Sequence, residues 1–135
     1  MKNNYLLESE DNYLVSLKIE ELIEKCNFKD SPVHSYDMEE VPLSNALEDL
    51  DTYGLFSEKK VIVISNIESL TTDGNEKDIE HFFKYFKDSL DTILVIVTAK
   101  KLNNTKKITK ELKKNLEYIS LTANALDFTK KELQG

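Results

Sequence analysis

Two unbroken aliphatic runs, Val61-Ile62-Val63-Ile64 and Ile93-Leu94-Val95-Ile96-Val97, limit this chain more than any other feature. A strand that is apolar at every position has no face for water, so it belongs in the middle of a sheet covered on both sides. The rest of the chain must therefore supply flanking strands and two layers of cover.

Strand and helix signals alternate from end to end. Tyr5-Leu6-Leu7 reads as a short first strand. Between Asp11 and Lys25, apolar residues recur at helical spacing (Leu14, Leu17, Leu22 and Ile23, widened by Val15 and Ile19), with Asp11 as the candidate cap. Val33 to Tyr36 is a weak second strand introduced by Ser31-Pro32. The next helix is expected from Pro42 to about Leu50, with Leu43, Ala46, Leu47 and Leu50 facing inward. Lys60 to Ile64 forms the third strand, and a polar loop with the turn cluster Thr72-Asp73-Gly74-Asn75 fills Ser65 to Asn75. Glu76 to Lys87 is amphipathic, its inner face built from Ile79, Phe82, Phe83 and Phe86. Thr92 to Val97 is the fourth strand. A lysine-rich helix is expected over Leu102 to Lys114, held by Leu102, Ile108 and Leu112, and Leu116 to Ile119 reads as an edge strand.

Five strands alternating with four helices give an α/β class: a five-stranded, mostly parallel sheet with helices on both faces. The polar, helix-prone stretch Asn124 to Leu133 has too little apolar surface to pack alone. It reads as the opening of a further domain, which divides the chain into 1–122 and 123–135.

A chain of 135 residues is long enough to bury a core without staples. No apolar run approaches the roughly 20 residues that span a bilayer, and the first residues lack the apolar core of a secretory signal. The single cysteine, Cys26, cannot pair internally, and a reducing cytoplasm is the simplest setting. Cys26 is itself read as a small apolar filler on a helix. A net charge of −7 repels phosphate backbones, which disfavours strong direct nucleic-acid binding by this piece. The pairs Lys100-Lys101, Lys106-Lys107 and Lys113-Lys114 are read as a solvated helical face.

Several chemistries fail on composition. A phosphate-binding loop needs glycines after the first strand, and that turn reads Glu8-Ser9-Glu10-Asp11-Asn12, with no glycine and no lysine. Glu8, Glu10 and Asp11 suggest instead the Mg²⁺ site of a receiver-like signalling domain, a reading to which Thr98-Ala99 adds. Against it, the third strand ends in Ser65-Asn66 where the phosphorylated aspartate belongs, and Leu121-Thr122 stands where a lysine is needed. His34, expected in a strand, and His81, on a helix beside Phe82 and Phe83, have no nucleophile near them in sequence. Both are read as structural or solvent-facing. That leaves Leu55-Phe56, two large apolar side chains in a loop just before the third strand. Either they close the domain's own core or they are presented to a partner, where the pair is worth about 3–6 kcal/mol of burial.

The order of these elements resembles the N-terminal domain of the delta subunit of the bacterial DNA polymerase III clamp loader. Tyr5-Leu6-Leu7 with Glu10-Asp11-Asn12-Tyr13-Leu14 is similar to that family's opening strand and turn. Leu55-Phe56-Ser57 followed by Lys59-Lys60 and Val61 to Ile64 is similar to its apolar-Phe-Ser, basic, apolar-strand signature. Thr92 to Val97 with Lys101-Leu102 and the lysine-rich helix is similar to its fourth strand and following helix.

The resemblance implies an AAA+ ATPase-like fold without a functional phosphate loop, no cofactor and no activity of its own. It also implies a task in DNA replication: binding the sliding clamp (the beta subunit) and opening its subunit interface for loading on primed DNA. By position, Leu55 and Phe56, with Ser57 at the rim, would be the clamp-binding residues. Other loader subunits would be met through lid and collar domains downstream, and DNA only weakly or through the complex. The alternatives are the receiver-like domain or an inactive ATPase-like scaffold with another partner. Two departures from the family bear on structure. Ser9 replaces a glycine in the first turn, and Lys60 replaces an arginine, which would forfeit a bidentate contact.

Overall fold

The computed structural model describes residues 3–52 and 58–122. Its elements run β1 (Asn4–Glu8), α1 (Asn12–Lys25), β2 (Val33–Asp37), α2 (Leu43–Asp51), β3 (Lys60–Ser65), α3 (Glu76–Lys87), β4 (Ile93–Ala99), α4 (Lys107–Asn115) and β5 (Glu117–Ser120). All neighbouring strands pair in parallel, in the order β2-β3-β4-β1-β5. The apolar runs take the protected places: β4 is central and buried throughout, with β3 beside it, while the more polar β2 and β5 form the edges.

That order decides against the receiver-like reading. A receiver sheet places its first strand between the second and third. Here β1 lies between β4 and β5, with β3 on the far side of β4.

Strand alternation sends side chains to two cores. Leu6, Ile62, Ile64, Ile93, Val95 and Val97 meet Leu43, Leu47 and Leu50 of α2, Phe82 and Phe86 of α3, and Leu112 of α4. Leu7, Val61, Val63, Leu94 and Ile96 point the other way, onto Leu22 and Phe28 with Val15, Ile19 and Ile23 at their margin. Three helices thus cover one face and α1 the other. Ile79 and Phe83 are half-buried beside the first core, and Phe82 meets Phe86 edge-on at 4.8 Å.

Three expectations need correction. Leu17 is exposed: it lies two residues from both Val15 and Ile19, half a turn away from the stripe they form. The Ser65–Asn75 loop is not wholly polar, since a 3-10 turn at Ile67–Ser69 buries Ile67 and Leu70. The lysine-rich helix starts at Lys107, not Leu102, because Asn103 Oδ1 accepts from both the backbone N–H and the hydroxyl of Thr105 and bends the chain first. Leu102 is buried from that loop.

Candidate functional site: the ends of the 53–57 segment

Residues Leu55, Phe56 and Ser57 lie outside the described residues, as do 123–135. The structure describes instead the two ends between which the apolar pair is strung. At one end α2 stops at Asp51, capped by Thr52, whose hydroxyl donates to the Glu48 carbonyl at 2.6 Å. At the other, Glu58 and Lys59 are exposed and lead into Lys60, the first residue of β3.

The last turn of α2 carries acids and no base, so the negative end of the helix dipole is uncompensated within the helix itself. Lys60 supplies the missing cation. Its ammonium donates to the Asp49 carbonyl at 2.5 Å, to Asp49 Oδ1 at 2.7 Å and to the Thr52 carbonyl at 2.9 Å. A compact ammonium reaches three separate oxygens here, a different geometry from the fork of an arginine.

The second carboxylate oxygen of Asp49 accepts the Tyr36 hydroxyl at 2.5 Å and lies 2.6 Å from His34 Nδ1. Burial pushes the Asp49 carboxyl up, but the hydrogen bonds from Lys60, Tyr36 and His34 outweigh it and hold the group below the usual carboxylate range. Burial, together with the bond to Asp49, pushes the Tyr36 phenol up to about 12.

Lys59 makes a second tie. Its ammonium donates to the Asn27 carbonyl at 3.0 Å and stands 5.0 Å from the centroid of the Phe28 ring. Asn27 takes a left-handed conformation (φ 66°) just after α1. The Phe28 N–H bonds back to Ile23 and the Asn27 N–H to Glu24, the double closure of a Schellman motif. Phe28 is buried by it.

The turn after β1 is differently committed. Ser9 is buried, and its hydroxyl accepts the Asp11 N–H at 3.0 Å; positive φ among the described non-glycine residues is confined to Asn27 and Asn66, so this turn does not need a glycine. Asp11 caps α1 through the Tyr13 and Leu14 N–H groups. Glu8 accepts the Leu102 N–H at 2.7 Å and the Tyr118 hydroxyl. The acids that suggested a metal site are therefore spent on structure, apart from exposed Glu10. A hollow of about 200 Å³ at the C-terminal ends of the strands, lined by Ser9, Asn12, Ser65, Asn66, Thr98 and Lys100, offers one cation to a phosphate.

The two histidines pair with acids of α2, His34 with Asp49 and His81 with Asp51, the latter at 3.1 Å. Neither Asp49 nor Tyr36 stands out in the sequence. The clue available was electrostatic: an acidic helix end with no base of its own. Among the described residues no helix is long and apolar enough to cross a membrane, and no cluster of three metal-ligating side chains occurs.

Comparisons agree on where such a domain occurs. Residues 5–122 match the family model described as DNA polymerase III, delta subunit. The DNA polymerase III subunit delta of Bacillus subtilis (strain 168) is 28% identical over 120 residues, covering 82% of this chain and 35% of that protein. The solved Bacillus subtilis DNA clamp loader delta protein superposes with a TM-score of 0.69 at 25% identity, over 93% of this chain and 41% of that one. At 15% identity, a gamma-subunit-related protein (TM-score 0.58) and a RuvB variant (0.52), both from Thermotoga maritima, share the fold, which is that of AAA+ proteins. The chain thus spans well under half the length of its delta-subunit relatives. With its strand order and its match over 5–122, the chain belongs to the DNA polymerase III delta-subunit family.

Proposed function

We propose that this chain is the clamp-binding portion of a clamp-loader delta subunit, acting in the DNA polymerase III holoenzyme by binding and with no covalent chemistry of its own. Leu55 and Phe56 insert into an apolar pocket of the sliding clamp, and Ser57, Glu58 and Lys59 form the polar rim. The observation that carries this reading is the match over 5–122, which brackets an apolar pair set immediately before β3 between two tied chain ends.

A closed ring opens only if the ligand prefers the open form, and only by that difference in affinity. The chain then acts by stabilising a clamp with one subunit interface parted, so that the ring can pass onto primed DNA. Residues 1–122 are the clamp-binding module, and 123–135 begin the lid domain. Other loader subunits are met within the assembled complex, and DNA only weakly or through that complex.

Capture of the purified cognate clamp (the beta subunit) on the immobilised chain tests the reading. Retention of the clamp in stoichiometric amounts is expected. A folded chain that retains none would favour an ATPase-like scaffold with another partner.

A further inference from the structure

The bonds between Asp49 and Lys60 form a closed set. An ammonium has three protons to donate, and Lys60 places all three on oxygens of the α2 end: the carbonyls of Asp49 and Thr52 and the Asp49 carboxylate. The other carboxylate oxygen is taken by Tyr36 and His34 of β2. The Lys60 and Asp49 side chains are only 12% and 11% exposed, so little water competes for them. One ion pair therefore joins the last helical turn before residues 53–57 to the first strand residue after them.

We propose that Asp49, acting through Lys60, is the positioning residue of the clamp-binding segment. It fixes the point where the chain leaves α2 and the point where it enters β3, the two ends that flank residues 53–57. The inference rests on the reading of those two residues as the clamp anchor. Holding the ends in place before binding reduces the freedom that must be lost on binding. The carboxylate has a second task that follows from its partners: by engaging Tyr36 and His34 it keeps the edge strand β2 in register with the same helix end.

The test compares Asp49→Asn, Lys60→Met and the pair of changes together, with Leu22→Ala as a control. Leu22 is buried in the core on the opposite face of the sheet. The paired variant leaves no charge buried alone, so it folds where a single change fails to. Two readouts apply: clamp affinity by surface plasmon resonance, and exchange of the Thr52 and Lys60 amide hydrogens in the free chain.

The expected result is a loss of clamp affinity of about tenfold or more in each folded variant. The paired change should be no worse than the weaker single one, because the two groups act as a unit. Leu22→Ala should lower the melting temperature yet leave affinity within about twofold, as expected for a distant site. Thr52 and Lys60 amides should exchange faster in the variants, while those of Leu6 and Val95 do not change. A folded paired variant that binds like the parent overturns the proposal, and so does exchange at Thr52 and Lys60 that stays at the parent rate. An equal loss of affinity in Leu22→Ala also overturns it. Full clamp binding by Leu55→Ala with Phe56→Ala would overturn the clamp reading instead, and the exchange rates would still decide whether Asp49 holds the ends.

Discussion

Glu8 and Leu102 stand 94 positions apart in sequence, yet the Glu8 carboxylate accepts the Leu102 N–H at 2.7 Å. The same carboxylate takes the Tyr118 hydroxyl, so one acid at the tip of β1 pins both the loop after β4 and the edge strand β5. Leu102 is delivered into the core by this bond while its neighbours Lys101 and Asn103 stay exposed. In nucleotide-binding relatives of the fold the chain curls around a phosphate at this turn; here the turn secures the sheet's own end.

Glu8→Ala should therefore destabilise the domain by about 1–3 kcal/mol, the range for leaving a buried donor unsatisfied. Tyr118→Phe, which removes one of the two bonds at a more exposed place, should have a smaller effect. Urea denaturation followed by circular dichroism measures both.

The acid limb of the stability curve should carry the signature of Asp49. Its folded carboxyl titrates below the ordinary value of about 3.9. The stabilisation is then present above that pH and is lost as pH falls through the lower folded value, where the native carboxylate is finally protonated. Thermal melts from pH 6 downward should show a steeper loss below pH 4 in the parent than in Asp49→Asn. Lys60→Met leaves the largely buried carboxylate without its cation and should cost about 3–5 kcal/mol at neutral pH.

Packing and exposure make opposite demands on two apolar side chains. Phe82 is fully buried against Phe86, and Phe82→Ala should cost about 3–5 kcal/mol. Leu17 is 42% exposed on α1, and Leu17→Ala should change stability by less than about 0.5 kcal/mol. Differential scanning calorimetry of the two variants separates them directly.

The left-handed residue Asn27 closes α1 and sets Phe28 under the Lys59 ammonium. Asn27→Gly should be tolerated, whereas Asn27→Ala should cost about 1 kcal/mol, because alanine keeps the Cβ but lacks the short polar side chain by which asparagine tolerates that conformation. Chemical denaturation midpoints of the two variants give the comparison.

The central strands and the helices α1, α2 and α3 were legible in the sequence because hydrophobic periodicity reports burial directly. Val61 to Ile64 and Ile93 to Val97 had no polar face, and both came to lie in the middle of the sheet. Strand order was not legible from alternation: a receiver and this fold share the same succession of strands and helices, and they differ only in which strands flank β1. The exposure of Leu17 is not legible because several apolar residues crowd α1 and two stripes fit them. The late start of α4 was hidden because lysine and leucine favour a helix, while the Asn103 side chain ends that preference at one point. At the candidate site, the apolar pair was visible as a local anomaly. Asp49 was not, because its partners come from β2 and β3, and only the fold brings them together.

The most direct measurement is the affinity of the chain for the purified sliding clamp, with and without Leu55→Ala and Phe56→Ala, alongside thermal melts of both proteins. The account predicts that the doubly substituted chain melts cooperatively near the parent temperature and binds the clamp at least a hundredfold more weakly, in keeping with two anchor residues of about 1.5–3 kcal/mol each. Unchanged clamp affinity, or loss of cooperative melting because the pair belongs to the domain's own core, would contradict it.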